Sequence, residues 1–127
     1  MGKAVREEKS APRKEVFVTT KIECMGSAAS AYAAIERDLR QLGLPFVDLV
    51  LIHAPYKGFG EPYSNCSKGP AGAQARQASW AGMEQAVKAG LTRAIGLSNF
   101  NGPSNHSLAQ APRTCGRLDL EKHPPTA

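Results

Sequence analysis

Val16, Phe17, Val18, Thr19 and Thr20 form an unbroken β-branched and aromatic run, which predicts a strand buried on both faces and ended by Lys21. From Ala28 to Leu42 the period lengthens. Tyr32, Ile35, Leu39 and Leu42 recur every three or four residues, the spacing of an amphipathic helix. Ser27 stands where an N-cap is wanted and Gly43 where a left-handed C-terminal residue is wanted. Pro45 blocks continuation, and Val47 to Ile52 is a second apolar run, interrupted by Asp48 near its start and ended by His53. Residues 55–78 are rich in Gly, Ser, Pro and Ala with no period, so they predict a long loop. A second helix follows, with Ser79 as cap, Trp80, Met83 and Val87 on one face and Gly90 as terminator. Ala94 to Leu97 completes the pattern as a third short strand.

Strand, helix, strand, helix, strand is the signature of parallel βαβ units and places the chain in the α/β class. Residues 102–127 break the pattern: they carry four prolines and no helical stripe, and predict a poorly ordered C-terminal tail. In a parallel sheet every strand delivers its C-terminal end to one side, where functional groups gather. The first strand ends in Lys21, the second in His53 and the third in Ser98 and Asn99. One rim therefore collects an amine, an imidazole, a hydroxyl and an amide. Each has a structural alternative: a solvated strand end for Lys21, a hydrogen-bonded structural role for His53, a helix cap for Ser98 and Asn99.

Composition narrows the partners. The chain has 127 residues, a net charge of +5 and a pI of about 9.3. Its basic residues are dispersed and its aromatics few, so no nucleic-acid surface is predicted. Cys24, Cys66 and Cys115 are widely spaced and odd in number, which predicts free thiols in a reducing compartment. With His53, His106 and His123 they make no zinc spacing, and no metal is expected. No apolar run approaches the ~20 residues that span a bilayer, and the start "MGKAVREEKS" has no apolar run to serve as a signal peptide, so a cytoplasmic protein with no membrane contact is the expectation. Glycine-rich phosphate loops and a nucleophile elbow are absent.

The segments "VFVTTKI", "AIERDLRQLGLPFVDLVLIHAP" and "SWAGMEQAVKAGLTRAIGLSNFN" resemble three successive blocks of the aldo-keto reductase family. Met83, nine residues, then Arg93 to Phe100 follow the family's signature pattern. The resemblance implies a partial (β/α)₈ TIM barrel, roughly three of its eight strands, with residues 1–101 as a partial oxidoreductase domain and 102–127 as a divergent tail. It also implies NADPH-dependent reduction of an aldehyde or ketone to an alcohol. By position, Lys21 matches the catalytic lysine, His53 the catalytic histidine, and Ser98 and Asn99 the pair that holds the nicotinamide carboxamide. In that family a tyrosine supplies the proton, the lysine cation stabilises the tyrosinate, and the histidine orients the carbonyl.

The family's tyrosine, and the aspartate that pairs with its lysine, would precede Met1, and the cofactor-clasping loops would follow residue 127. Tyr32 and Tyr56 do not match the tyrosine's position. In "LEKHPP" a further family block is echoed, which would set Asp119 where a cofactor-contacting glutamine is usual. The expectation is an oxidoreductase impaired in this length of chain. The alternative is a non-catalytic α/β fragment acting through self-association at exposed barrel edges, or through partner binding.

Overall fold

The computed structural model describes residues 11–56, 66–67 and 72–100. The tail expected at 102–127, with Asp119, lies outside them. Three strands, β1 (Thr19–Ile22), β2 (Val47–Ile52) and β3 (Thr92–Leu97), form a parallel sheet in the order β1-β2-β3. The helices α1 (Ala28–Leu42) and α2 (Ala73–Lys88) connect them.

Both helices lie on the same side of the sheet. Ile22, Val50 and Ile52 are buried there with Ala31, Ala34, Ile35 and Leu39 of α1 and Met83 and Ala86 of α2. Thr20 donates its hydroxyl to Asp38 Oδ2 of α1 at 2.9 Å, so even-numbered β1 residues face the helices. Strand side chains alternate, so Lys21 lies on the opposite face, over which no described helix packs. The two helices approach closely at Gly82, where an added Cβ would lie 2.9 Å from Ala31 Cβ and overlap Ala28 O.

The two caps of α1 read from the sequence are present. Ser27 Oγ accepts from Ser30 N at 3.1 Å. Gly43 adopts φ 63°, ψ 34°, and its N–H closes the last turn of α1.

Three boundaries differ from expectation. β1 begins at Thr19 and contains Lys21, because Arg13–Glu15 forms a 3₁₀ turn and Val16–Val18 only approaches the sheet. Its burial alternates, since helices cover one face alone among the described residues. α2 begins at Ala73, inside the predicted loop. Gln74, Arg76 and Gln77 offer no apolar period, although they are good helix formers. Ser79 is therefore not a cap but a buried mid-helix residue: its Oγ lies 2.6 Å from Met25 O and 2.8 Å from Ala75 O, and accepts from Met25 N at 2.8 Å. β3 begins at Thr92, two residues before the predicted start.

At the N-terminal end of the sheet a charge cluster replaces apolar packing. Asp48, 4% exposed, accepts from Val18 N at 2.9 Å and meets Arg13 at 2.9 Å and Arg93 at 3.1 Å. Arg13 also donates to Val16 O and Phe46 O and lies 4.3 Å from the Phe46 ring centroid. This network fastens the segment before β1 to β2 and β3, at the end opposite to His53.

Candidate active-site rim

Sheet register fixes the relative heights of the candidate residues. Lys21 pairs with Leu51 and Leu51 with Gly96; Ile22 pairs with Ile52 and Ile52 with Leu97. Glu23, His53 and Ser98 thus stand one step beyond the last paired rung. The ladder reaches them, since His53 N donates to Ile22 O at 2.8 Å and Ser98 N to Ile52 O at 2.9 Å. By alternation Lys21, His53 and Ser98 all lie on the face away from the helices, with Lys21 two residues, about 6.6 Å, below the rim. Gly96 admits the neighbouring strand's bulk to this face: a Cβ there would lie 2.8 Å from Leu51 Cδ2.

Asn99 turns the chain at the rim. Its φ of 61° lies in the left-handed region, which Asn tolerates better than most side chains. Its amide nitrogen donates to His53 O at 2.8 Å and to Ser98 Oγ at 3.2 Å. Both amide protons are then engaged, which leaves Asn99 Oδ1 to accept and the Ser98 hydroxyl to donate. One acceptor beside one donor is the complement of a primary amide. His53 is bonded through its backbone to β1 on one side and to Asn99 on the other. Its Nδ1 meets Glu23 Oε1 at 3.4 Å.

Lys21, His53, Ser98 and Asn99 are therefore brought to one end of the sheet. Glu23 was missed by sequence reading, although its place two residues after Lys21 puts it on the same strand face.

The expectation of free thiols is overturned at Cys24 and Cys66, which form a disulfide across 42 residues. Cys115 lies outside the described residues. Cys24 follows β1 at the rim, and the connection through α1 and β2 returns Cys66 beside it, a proximity no local spacing reveals. Next to the bridge the Arg76 guanidinium donates to Ser67 O at 2.9 Å. Burial lowers the Arg76 pKa from its ordinary value. Residues 66–67 are thus tied to both β1 and α2.

Among the described residues no group of three or more His, Cys, Asp or Glu could hold a metal ion. No described helix is long and apolar enough to cross a membrane.

Comparison with known proteins decides the family. The family model for the aldo/keto reductase family matches residues 1–115. The chain belongs to the aldo/keto reductase family. It is 31% identical over 125 residues to an NAD/NADP-dependent indole-3-acetaldehyde reductase of Schizosaccharomyces pombe, covering 98% of this chain and 39% of that protein. It is 36% identical over 111 residues to the aldo-keto reductase family 1 member A1 of Xenopus tropicalis, covering 80% of this chain and 34% of that protein. Among solved structures, an aldo-keto reductase from a deep-sea metagenome library superposes with a TM-score of 0.69 at 28% identity, covering 88% of this chain and 36% of that one. A Bombyx mori aldo-keto reductase in complex with NADP gives 0.63 at 31% identity, covering 80% and 32%. The chain thus spans about two-fifths or less of its reductase relatives. Its three parallel strands and two helices are a piece of the (β/α)₈ barrel on which aldo-keto reductases are built.

Proposed function

We propose that this chain carries the lysine and histidine side of an aldo-keto reductase site, for NADPH-dependent reduction of a small aldehyde or ketone to an alcohol. The observation that carries the reading is the gathering of Lys21, His53, Ser98 and Asn99 at the C-terminal ends of three adjacent parallel strands. Catalytic groups of (β/α)₈ barrels sit at that end, and groups at the other end serve stability.

In this scheme Lys21 supplies a fixed cation on the inner face, which lowers the cost of negative charge developing on a neighbouring phenol or alkoxide. His53 donates a hydrogen bond to the carbonyl oxygen and so orients the carbonyl. The donor and acceptor left at Ser98 and Asn99 fit the carboxamide of a nicotinamide ring. NADP or NADPH is bound in crystals of similar reductases, which favours the phosphorylated cofactor here. When bound, that cofactor supplies the hydride. Tyr56 lies three residues past His53, and Tyr32 belongs to α1; the scheme assigns the proton to neither. A cytoplasmic setting belongs to this reading, and there a thiol pool would tend to open the Cys24–Cys66 bridge.

A graft tests the proposal. Residues 16–100 replace the corresponding segment of the full-length Xenopus tropicalis relative, and NADPH oxidation is followed with an aromatic aldehyde. The graft is expected to turn over, and Lys21→Met and His53→Ala each to lower kcat by about 10²-fold or more. A folded graft indifferent to both substitutions overturns the proposal.

A further inference from the structure

His53 is held by its backbone on two sides, by Ile22 O and by the Asn99 amide, yet neither contact settles which way the imidazole turns. The ring torsion of histidine is broad and roughly two-fold, so a side-chain partner must choose between the two ring orientations. Glu23 is placed to act as one. It stands level with His53 on the adjacent strand, and its Oε1 lies 3.4 Å from Nδ1. The His53 and Glu23 side chains are 32% and 25% exposed, half-sheltered from competing water.

An ionised carboxylate only accepts, so the contact is attractive only when Nδ1 carries a proton. With the proton on Nδ1, neutral His53 has an unprotonated Nε2, and any further proton enters and leaves at Nε2. Which ring nitrogen is protonated is set by the bond the other one makes, and this assignment governs what the imidazole can do at a substrate.

We propose that Glu23 is a positioning residue for His53: its carboxylate accepts the Nδ1 proton, fixes the ring's orientation and leaves proton exchange to Nε2. The catalytic importance of the pair rests on the function proposed above, but the pairing itself does not. Its consequence for the reaction is specific. Neutral His53 can only accept at Nε2, so the form that donates a hydrogen bond from Nε2 to a carbonyl oxygen is the doubly protonated ring. Lys21 on β1, and Ser98 and Asn99 after β3, share this end of the same face.

The test reads the tautomer without requiring turnover. Two-bond proton–nitrogen correlation spectra of the ¹⁵N-labelled full chain distinguish the Nδ1–H and Nε2–H forms of each imidazole. The chain has three histidines, and the His53 signals are assigned by their loss in His53→Gln. At a pH where the ring is neutral, the wild-type chain is expected to show the Nδ1–H pattern. Glu23→Gln, which keeps an acceptor oxygen, retains it, and Glu23→Ala converts His53 to the Nε2–H pattern. An Nε2–H pattern in the wild-type chain, or an unchanged pattern in folded Glu23→Ala, overturns the pairing. Should Glu23→Ala fail to fold, the wild-type spectrum alone decides.

In the graft, Glu23→Ala is expected to lower kcat about tenfold with Glu23→Gln restoring most of it, a part of the 10² to 10⁴ that a positioned acid or base contributes. An inactive graft with the Nδ1–H pattern intact sinks the reductase reading and spares the pairing. An active graft with the Nε2–H pattern does the reverse.

Discussion

Asp48 shows how one residue can organise an entire end of a sheet. It is buried, yet it satisfies a backbone N–H and two guanidinium groups at once. Removing it leaves Val18 N without its acceptor and takes the counter-charge from two guanidinium groups. Because Arg93 is 40% exposed and Arg13 20%, water recovers part of the loss. Asp48→Ala is therefore expected to destabilise the chain by about 2 to 3 kcal/mol, below the ~3–5 kcal/mol of a fully buried pair. Urea unfolding followed by far-UV circular dichroism measures it; a change under 0.5 kcal/mol would show the cluster to be ornamental. Legibility at this scale was uneven. His53, Ser98 and Asn99 could be read as strand ends because the apolar runs stop beside them, whereas Lys21 lies inside β1, one residue before its end. Asp48 was visible only as an interruption, since its partner Arg13 lies 35 positions away, and Glu23 was silent because a lone carboxylate beside a strand has no pattern.

The contact between α1 and α2 depends on having no side chain at Gly82. A methyl group there meets Ala28 O and Ala31 Cβ, and backbone cannot yield as a flexible side chain can. Gly82→Ala is expected to cost about 1 to 3 kcal/mol, despite the better helix propensity of alanine. A gain in thermal midpoint would refute the close approach. The Cys24–Cys66 bridge is a second tie between elements. Loop-closure entropy over 42 residues gives a stabilisation of about 4 kcal/mol, at the top of the ~2–4 kcal/mol usual for disulfides. Unfolding with and without a dithiol reductant should differ by about that amount, and the difference should vanish in the Cys24→Ser/Cys66→Ser double variant. Strong periodicity made α1 legible with both caps. α2 was half-read, because its first two turns carry Ala, Gln and Arg, and its burial comes from packing that a one-dimensional pattern does not encode.

In the whole molecule, one face of the sheet is covered by helices and the other carries Lys21, Leu49, Leu51, His53 and Ala94 with no described element above it. β1 and β3 are the edges of the described sheet. Parallel strands are ordinarily sheltered on both faces, and exposed edges template further pairing. Concentration-dependent self-association is accordingly expected in sedimentation velocity, and a strictly monomeric chain at high concentration would contradict it. The purified chain alone is also expected to show no NADPH oxidation with an aromatic aldehyde, because hydride transfer requires donor carbon and carbonyl held in register. Turnover abolished by Tyr56→Phe would reveal an unassigned proton donor. The α/β class and parallel order were legible from alternating periods alone, whereas the barrel came from resemblance, since three strands carry no record of closure.

Asn99 answers two unrelated demands, a left-handed backbone and an amide that bonds His53 O. Glycine meets the first and deletes the second; glutamine keeps an amide but lacks the tolerance for that backbone; aspartate keeps the shape but turns an acceptor toward an acceptor. Drift at this position is therefore narrowed by two demands together, even though neither demand alone would exclude all three alternatives.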